Sequence, residues 1–325
     1  MIQLRTKLCD LLGIDYPIVQ GAMAWVADAK LASAVSNAGG IGIVGTGHDP
    51  VDVVQKKVEE VKALTDKPFG VNVMLLNPHV EEVVSYLCQA GIRLVTTGAG
   101  SPGKYMTAFQ EAGIRVIPVV ASVALAKRME RLGADAVVVE GMEAGGHIGK
   151  GTTMSLLPQV VDAVSIPVIA AGGIADGRGV AAALMLGAEG VQIGTRFVCS
   201  TESPAHENFK NAILKASDLS TIVTGELGGH PVRVLRNQLT REYAALEKAE
   251  TSKETPDFAK MDELGRGALR RAVVLGDTQR GSMMSGQVAG LVKTVAPCKD
   301  IIEELVREAV EVYHARASYF NEGKS

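Results

Sequence analysis

Eight times along this chain an apolar, β-branched run is followed by a segment rich in Ala, Val, Leu, Glu and Lys. The runs begin near Pro17 (PIVQGAM), Ile41 (IGIVGTG), Phe69 (FGVNVML), Leu94 (LVTTGAG), Arg115 (RVIPVVAS), Ala136 (AVVVEGM), Pro167 (PVIAAGGI) and Gly190 (GVQIGTRF). Continuous rather than alternating hydrophobicity predicts strands covered on both faces, the pattern of parallel sheets. The intervening segments predict helices, several closing on a glycine suited to a left-handed C-cap: Gly39, Gly91, Gly113, Gly133 and Gly187. Asp49-Pro50 reads as an N-cap followed by proline at the first helical position. Parallel neighbours need a crossover helix, and eight such units close a sheet, so we expect an α/β fold, a (β/α)8 TIM barrel. An open doubly wound sheet is the alternative; nearly every strand ending in small or polar residues, as one catalytic rim requires, favours the barrel.

At 325 residues with 47% apolar content the chain can fill a core of that size. A net charge of -3 argues against nucleic acid as a partner. Cys9, Cys88, Cys199 and Cys298 are far apart without metal-ligand spacing, and read as reduced, mostly buried thiols. Arg5, Lys7 and Asp10 have no apolar run behind them, so we expect no secretory signal and a cytoplasmic location. No apolar stretch approaches bilayer length, so no membrane role is expected; the longest, residues 116–126, is interrupted by Pro118 and Ser122.

After Phe197 the rhythm breaks. Residues 201–281 lack the alternation and carry many charges, which predicts a mainly helical lid and substrate-binding subdomain inserted in a barrel made of residues 1–200 and 282–325. Residues 281–292 (GSMMSGQVAGLV) are small and Met-rich, and Met283 and Met284 suit either core or an adaptable acyl tunnel. Residues 300–320 predict an amphipathic helix with Ile301, Leu305, Val306, Ala309, Val310 and Tyr313 on one side.

Residues 136–150 (AVVVEGMEAGGHIGK) bring Glu140, Glu143 and His147 to the place where a buried strand should emerge. Gly145 and Gly146 remove Cβ atoms just before His147, letting a flat ligand approach the backbone. In such barrels a phosphate commonly sits between the loops after the seventh and eighth strands. Here those are Ala171-Gly172-Gly173-Ile174 and Gln192-Ile193-Gly194-Thr195-Arg196, with Asp176 placed to cap the next helix, whose N-terminus favours an anion. Gly40-Ile41-Gly42-Ile43-Val44-Gly45 matches the dinucleotide pattern G-x-G-x-x-G, but it lies within a strand candidate and follows a helix, so no Rossmann domain is inferred.

Residues 16–26 (YPIVQGAMAWV), 69–74 (FGVNVM), 95–100 (VTTGAG), 140–149 (EGMEAGGHIG) and 192–197 (QIGTRF) resemble the flavin-dependent enoyl-acyl-carrier-protein reductases of type II. The similarity extends over essentially the whole chain, including residues 237–241 (NQLTR) and the segment from Gly281. The related nitronate monooxygenases share the EAGGH motif but usually carry Ala-Pro-Met after the first strand's glutamine. This chain has Gly21-Ala22-Met23, which favours the reductase.

The resemblance implies an FMN with its phosphate on Gly172, Gly173, Gly194 and Thr195 and its ring beside Gly21, Ala22 and Met23. Asn72, Glu140 and Gln192 would supply polar contacts. It implies hydride passing from NADH or NADPH through the flavin to the β carbon of an enoyl thioester on acyl carrier protein, with protonation at the α carbon. His147 is the candidate catalytic residue, whether by positioning nicotinamide or thioester or by donating the proton. A homodimer is implied, and Arg233, Arg236 and Arg241 are the expected docking residues for the acidic carrier protein.

Overall fold

The structure, a computed structural model, describes residues 4–255, 257 and 259–320. The apolar runs become β1 (Ile18–Gln20), β2 (Gly42–Gly45), β3 (Phe69–Met74), β4 (Leu94–Gly98), β5 (Arg115–Val120) and β6 (Val137–Glu140). A two-residue β7 (Gly146–His147) stands outside the barrel; β8 (Val168–Ala171) and β9 (Gly190–Ile193) complete it. The barrel strands pair in parallel in the order β1-β9-β8-β6-β5-β4-β3-β2. Val19 and Ile41 bridge the two end strands: Gln20 N–H donates to Ile41 O at 3.0 Å and Ile41 N–H to Ile18 O at 2.9 Å. The ring therefore closes, and the fold is the TIM barrel that the repeat predicts.

Strand periodicity sorts the core. Along β6, Val138 packs with Val19, Ile43, Ile117 and Ile169 in the barrel interior, while Val137 and Val139 pack outward against the helices. The helix Ala29–Asn37, N-capped by Asp28 accepting from Leu31 N–H at 2.9 Å, crosses β2 so closely that a Cβ on Gly42 would lie 1.9 Å from Ala32 O. The G-x-G-x-x-G match thus records strand-to-helix packing, not phosphate binding. All five glycines expected at helix ends have positive φ, between 70° and 95°. At Val51–Leu64 the N-cap is Pro50 rather than Asp49, whose carboxylate instead receives Lys57 Nζ at 2.6 Å.

Beyond the barrel come the helix Glu207–Leu214, the hairpin β10 (Thr221–Thr224) and β11 (Val232–Leu235), and the helices Gln238–Thr251, Ala259–Gly265 and Ala268–Val273. The hairpin is absent from the sequence reading because its strands are only four residues long and Arg233 interrupts the second. β11 also pairs with β7, Val232 opposite His147 and Arg233 opposite Gly146. The helix Cys298–Ala317 buries Ile301, Ile302, Leu305, Val306 and Ala309 and receives Gly177 N–H on Glu308 Oε2 at 3.0 Å. Tyr313, expected on the buried side, is 56% exposed. Residues 321–325, assigned to the barrel on sequence, lie outside the described residues. Among the described residues no helix is long and apolar enough to cross a membrane.

Candidate active site at the barrel rim

Register brings most of the expected residues to one end of the ring. Glu140 stands opposite Ala171, Ala171 opposite Gln192, and Gln192 opposite Val19. On the other arc Gly45 stands opposite Asn72 and Asn72 opposite Thr96, with Asn72 Nδ2 donating to Thr96 Oγ1 at 3.0 Å. Because all eight strands are parallel, this end is the C-terminal rim, where catalytic groups of TIM barrels gather. Gly21 N–H donates to Ile193 O at 2.9 Å, and Met23 Sδ lies 3.6 Å from where a Cβ on Gly194 would be. Gly21, Ala22 and Met23 therefore adjoin the loop after β9.

The anion cradle differs in one respect from expectation. Asp176 does cap the helix Gly177–Met185, accepting from Arg178 N–H at 3.0 Å and Gly179 N–H at 3.2 Å, and Glu308 takes Gly177 N–H. Carboxylates thus already occupy that N-terminus, so it is not the anion site. What remains are the loops themselves. Gly173 N–H takes part in no loop hydrogen bond among the described residues. Thr195 opens the helix Thr195–Val198, where an amide has no intrahelical acceptor. Gly172 has φ +86°, and a Cβ there would meet Gly141 O at 2.8 Å, so the close approach of these loops requires glycine.

Two neighbouring contacts hold the loop after β6. Thr153 N–H and Oγ1 donate to the Glu143 carboxylate at 2.9 Å and 3.1 Å, and Thr153 Oγ1 also reaches Gly172 O at 2.9 Å. Arg233, expected on a docking surface, is instead buried: its Nε donates to Met142 O at 2.9 Å and its Nη1 to Thr221 Oγ1 at 3.2 Å. Arg233 ties the loop to β10, whereas Arg236 and Arg241 are exposed.

Ser285, a residue the sequence reading passed over inside a small-residue run, is fully buried with no hydrogen-bond partner for its hydroxyl. The backbone of Ser285 and Gly286 lies against Gly145, and Gly286 N–H donates to Thr195 Oγ1 at 2.9 Å. An unsatisfied buried hydroxyl calls for an acceptor that the protein does not provide. A phosphate fits that need, so these residues fit FMN.

Electrostatics separate the two titratable candidates. Glu140 keeps some accessible surface yet is walled in by protein, and desolvation pushes its carboxyl up to about 7. Close to neutral pH it can thus lie uncharged beneath a ligand. His147 is not on the rim itself but on β7, exposed, with its pKa pushed below the usual value by desolvation and then by nearby His230. Trp25, in the segment after β1, is 54% exposed with φ +66°, and the Arg270 guanidinium lies 5.8 Å from its ring. Such backbone strain in a bulky residue clusters at functional sites. Among the described residues no three His, Cys, Asp or Glu side chains gather in a way that could hold a metal ion.

A closed barrel with this rim belongs to the class of flavin-dependent oxidoreductases built on the TIM fold. The family model of nitronate monooxygenase matches residues 5–308, and the chain belongs to that family, whose members depend on FMN. It is similar to the solved structure of FabK from Thermotoga maritima, with 49% identity, TM-score 0.93, and coverage of 98% of this chain and 100% of that one. It is 36% identical to (3aS,4S,5R,7aS)-5-hydroxy-7a-methyl-1-oxo-octahydro-1H-indene-4-carboxyl-CoA dehydrogenase of Mycobacterium tuberculosis, covering 95% of this chain and 97% of the relative. Identity is 34% to a probable nitronate monooxygenase of Staphylococcus aureus, over 95% of this chain and 98% of that protein.

Proposed function

We propose that this protein is an FMN-containing enoyl-acyl-carrier-protein reductase that uses NADH or NADPH to saturate the trans-2 double bond of an enoyl thioester. The observation that carries the reading is the 49% identity to FabK, an enoyl-acyl-carrier-protein reductase of type II, along both whole chains. Residues 201–281 form its substrate-binding subdomain, and it works as a homodimer in the cytoplasm.

In this reading the amides of Gly172, Gly173, Gly194 and Thr195 hold the phosphate, and Gly21, Ala22, Met23, Ala171, Gly145 and Gly146 border the ring. Asn72, Glu140 and Gln192 make its polar contacts. Bound FMN supplies a two-electron carrier able to accept and return a hydride. In its neutral form, which its lowered pKa favours, His147 offers one ring N–H to orient nicotinamide or thioester; acting as the acid, it would give up a proton from its imidazolium form to the α carbon and return to neutral imidazole. Glu140 in its protonated state adds no charge beneath the ring.

Nitronate oxidation is the second reading, favoured by the family model and the Staphylococcus aureus relative. Anaerobic titration of the yellow protein decides between them. Bleaching by NADH, followed by return of colour on adding trans-2-butenoyl thioester, is the expected result. Bleaching by a nitronate without NADH would transfer the assignment to the second reading, and no response to either would leave a non-catalytic flavin-binding barrel. With Arg233 excluded by burial, Arg236 and Arg241 are the docking candidates. Replacing both by glutamate should slow turnover of carrier-bound substrate about tenfold while sparing a coenzyme A surrogate, since rim charges act mainly on association.

A further inference from the structure

Between the hairpin β10–β11 and the helices Gln238–Thr251 and Ala268–Val273 lies a cavity of about 160 Å³, walled by Val232, Val234, Leu239, Ala268, Leu269 and Met284. The lining is mostly apolar, though Thr224, His230, Thr240, Tyr243 and Ser282 also border it, and the space is close to the roughly 150 Å³ that holds a six-carbon guest such as benzene. Its position relative to His147 follows from strand pairing. Residues directly opposite across a ladder point to the same face of a sheet. Val232 is opposite both His147 and Thr224, and Val232 and Thr224 line the cavity, so His147 presents its side chain on the cavity face. Arg233, one residue on, points to the other face, as its bonds to Met142 O and Thr221 Oγ1 require. Two further contacts tie the cavity to the loop after β6. Met284 Sδ lies 3.4 Å from where a Cβ on Gly146 would be, and His230, another lining residue, is near enough to disfavour protonation of His147.

We propose that this cavity receives the distal carbons of the substrate's acyl chain, with the thioester end beside His147. The inference rests on the reductase reading and extends it: the hairpin and its covering helices set chain-length preference, for a tail of about six carbons beyond the reacting end. An apolar chain is the occupant that matches the aliphatic part of the lining, and the flexible Met284 within it suits chains of differing length.

The test compares trans-2-butenoyl-CoA with trans-2-decenoyl-CoA as substrates of the holoenzyme and its Leu269→Trp variant. Each methylene denied burial costs about fourfold in affinity. The ratio of kcat/KM for the ten-carbon over the four-carbon substrate should therefore fall about tenfold or more in the variant. An unchanged ratio overturns the proposal. Amide hydrogen exchange of the wild-type holoenzyme supplies an arm that depends on neither turnover nor the variant's folding. Decanoyl-CoA should slow exchange in residues 221–235 and 268–273 where acetyl-CoA does not. Protection there by NAD+ and not by decanoyl-CoA, or by neither, would refute it. If the wild type reduces neither enoyl substrate, the reductase reading falls, while the exchange arm still decides whether the cavity binds acyl chains.

Discussion

Ser285 carries the most specific expectation at the scale of single residues. Its hydroxyl is buried without a partner, and leaving such a group unpaired costs about 1–3 kcal/mol, which a phosphate acceptor would relieve. Ser285→Ala should weaken FMN binding to the flavin-free protein about tenfold, while riboflavin, which lacks the phosphate, should bind as before; flavin fluorescence titration reads both. Equal loss for the two ligands would place Ser285 away from the phosphate. Glu140 gives a pH signature. Its folded pKa, raised from 4.5 to about 7, means the native protein holds a proton that the unfolded chain has already released across that window. Stability is therefore lost as pH rises through it, by about 3 kcal/mol once pH exceeds 7. Glu140→Gln removes that loss, so the flavin-free variant should melt higher than wild type at pH 8 and about level with it at pH 4. Glycine, glutamate and histidine in residues 140–147 were legible as a candidate site because each is unusual next to a buried strand. Ser285 was not, since a hydroxyl's lack of partners exists only after distant segments meet.

Elements show where local signals suffice. The five C-capping glycines were readable because a left-handed residue is a local need that glycine meets at least cost. Asp49 was misassigned because its carboxylate has a choice between the adjacent helix and Lys57, and only the fold offers the second. Likewise the β10–β11 hairpin gains its place from β7, a two-residue strand with no signal of its own. Gly42 marks the opposite case, a packing demand written into a motif with another usual meaning. Gly42→Ala would drive a methyl into Ala32 O and should destabilise the protein by about 3 kcal/mol in urea unfolding, by forcing the helix Ala29–Asn37 off β2. A loss below 1 kcal/mol would mean that the helix shifts freely.

On the scale of the whole molecule, the barrel depends on its last helix. Ile301, Ile302, Leu305, Val306 and Ala309 are buried against the wall, and each large aliphatic contributes about 1.5–3 kcal/mol. Their sum rivals the 5–15 kcal/mol by which domains of this kind are stable. Truncation after residue 296 should leave a protein without a cooperative thermal transition; a normal transition would show that the helix is dispensable. The sequence alone determined the architecture, because eight apolar runs with crossover helices admit few closed arrangements, and parallel strands carry their C-terminal residues to one rim. Only the tertiary structure decided that Arg233 is a buried tie, that Asp176 and Glu308 fill the helix end, and that His147 lies on a second sheet. Those outcomes depend on burial and on partners far apart in the chain, which hydrophobic periodicity does not encode.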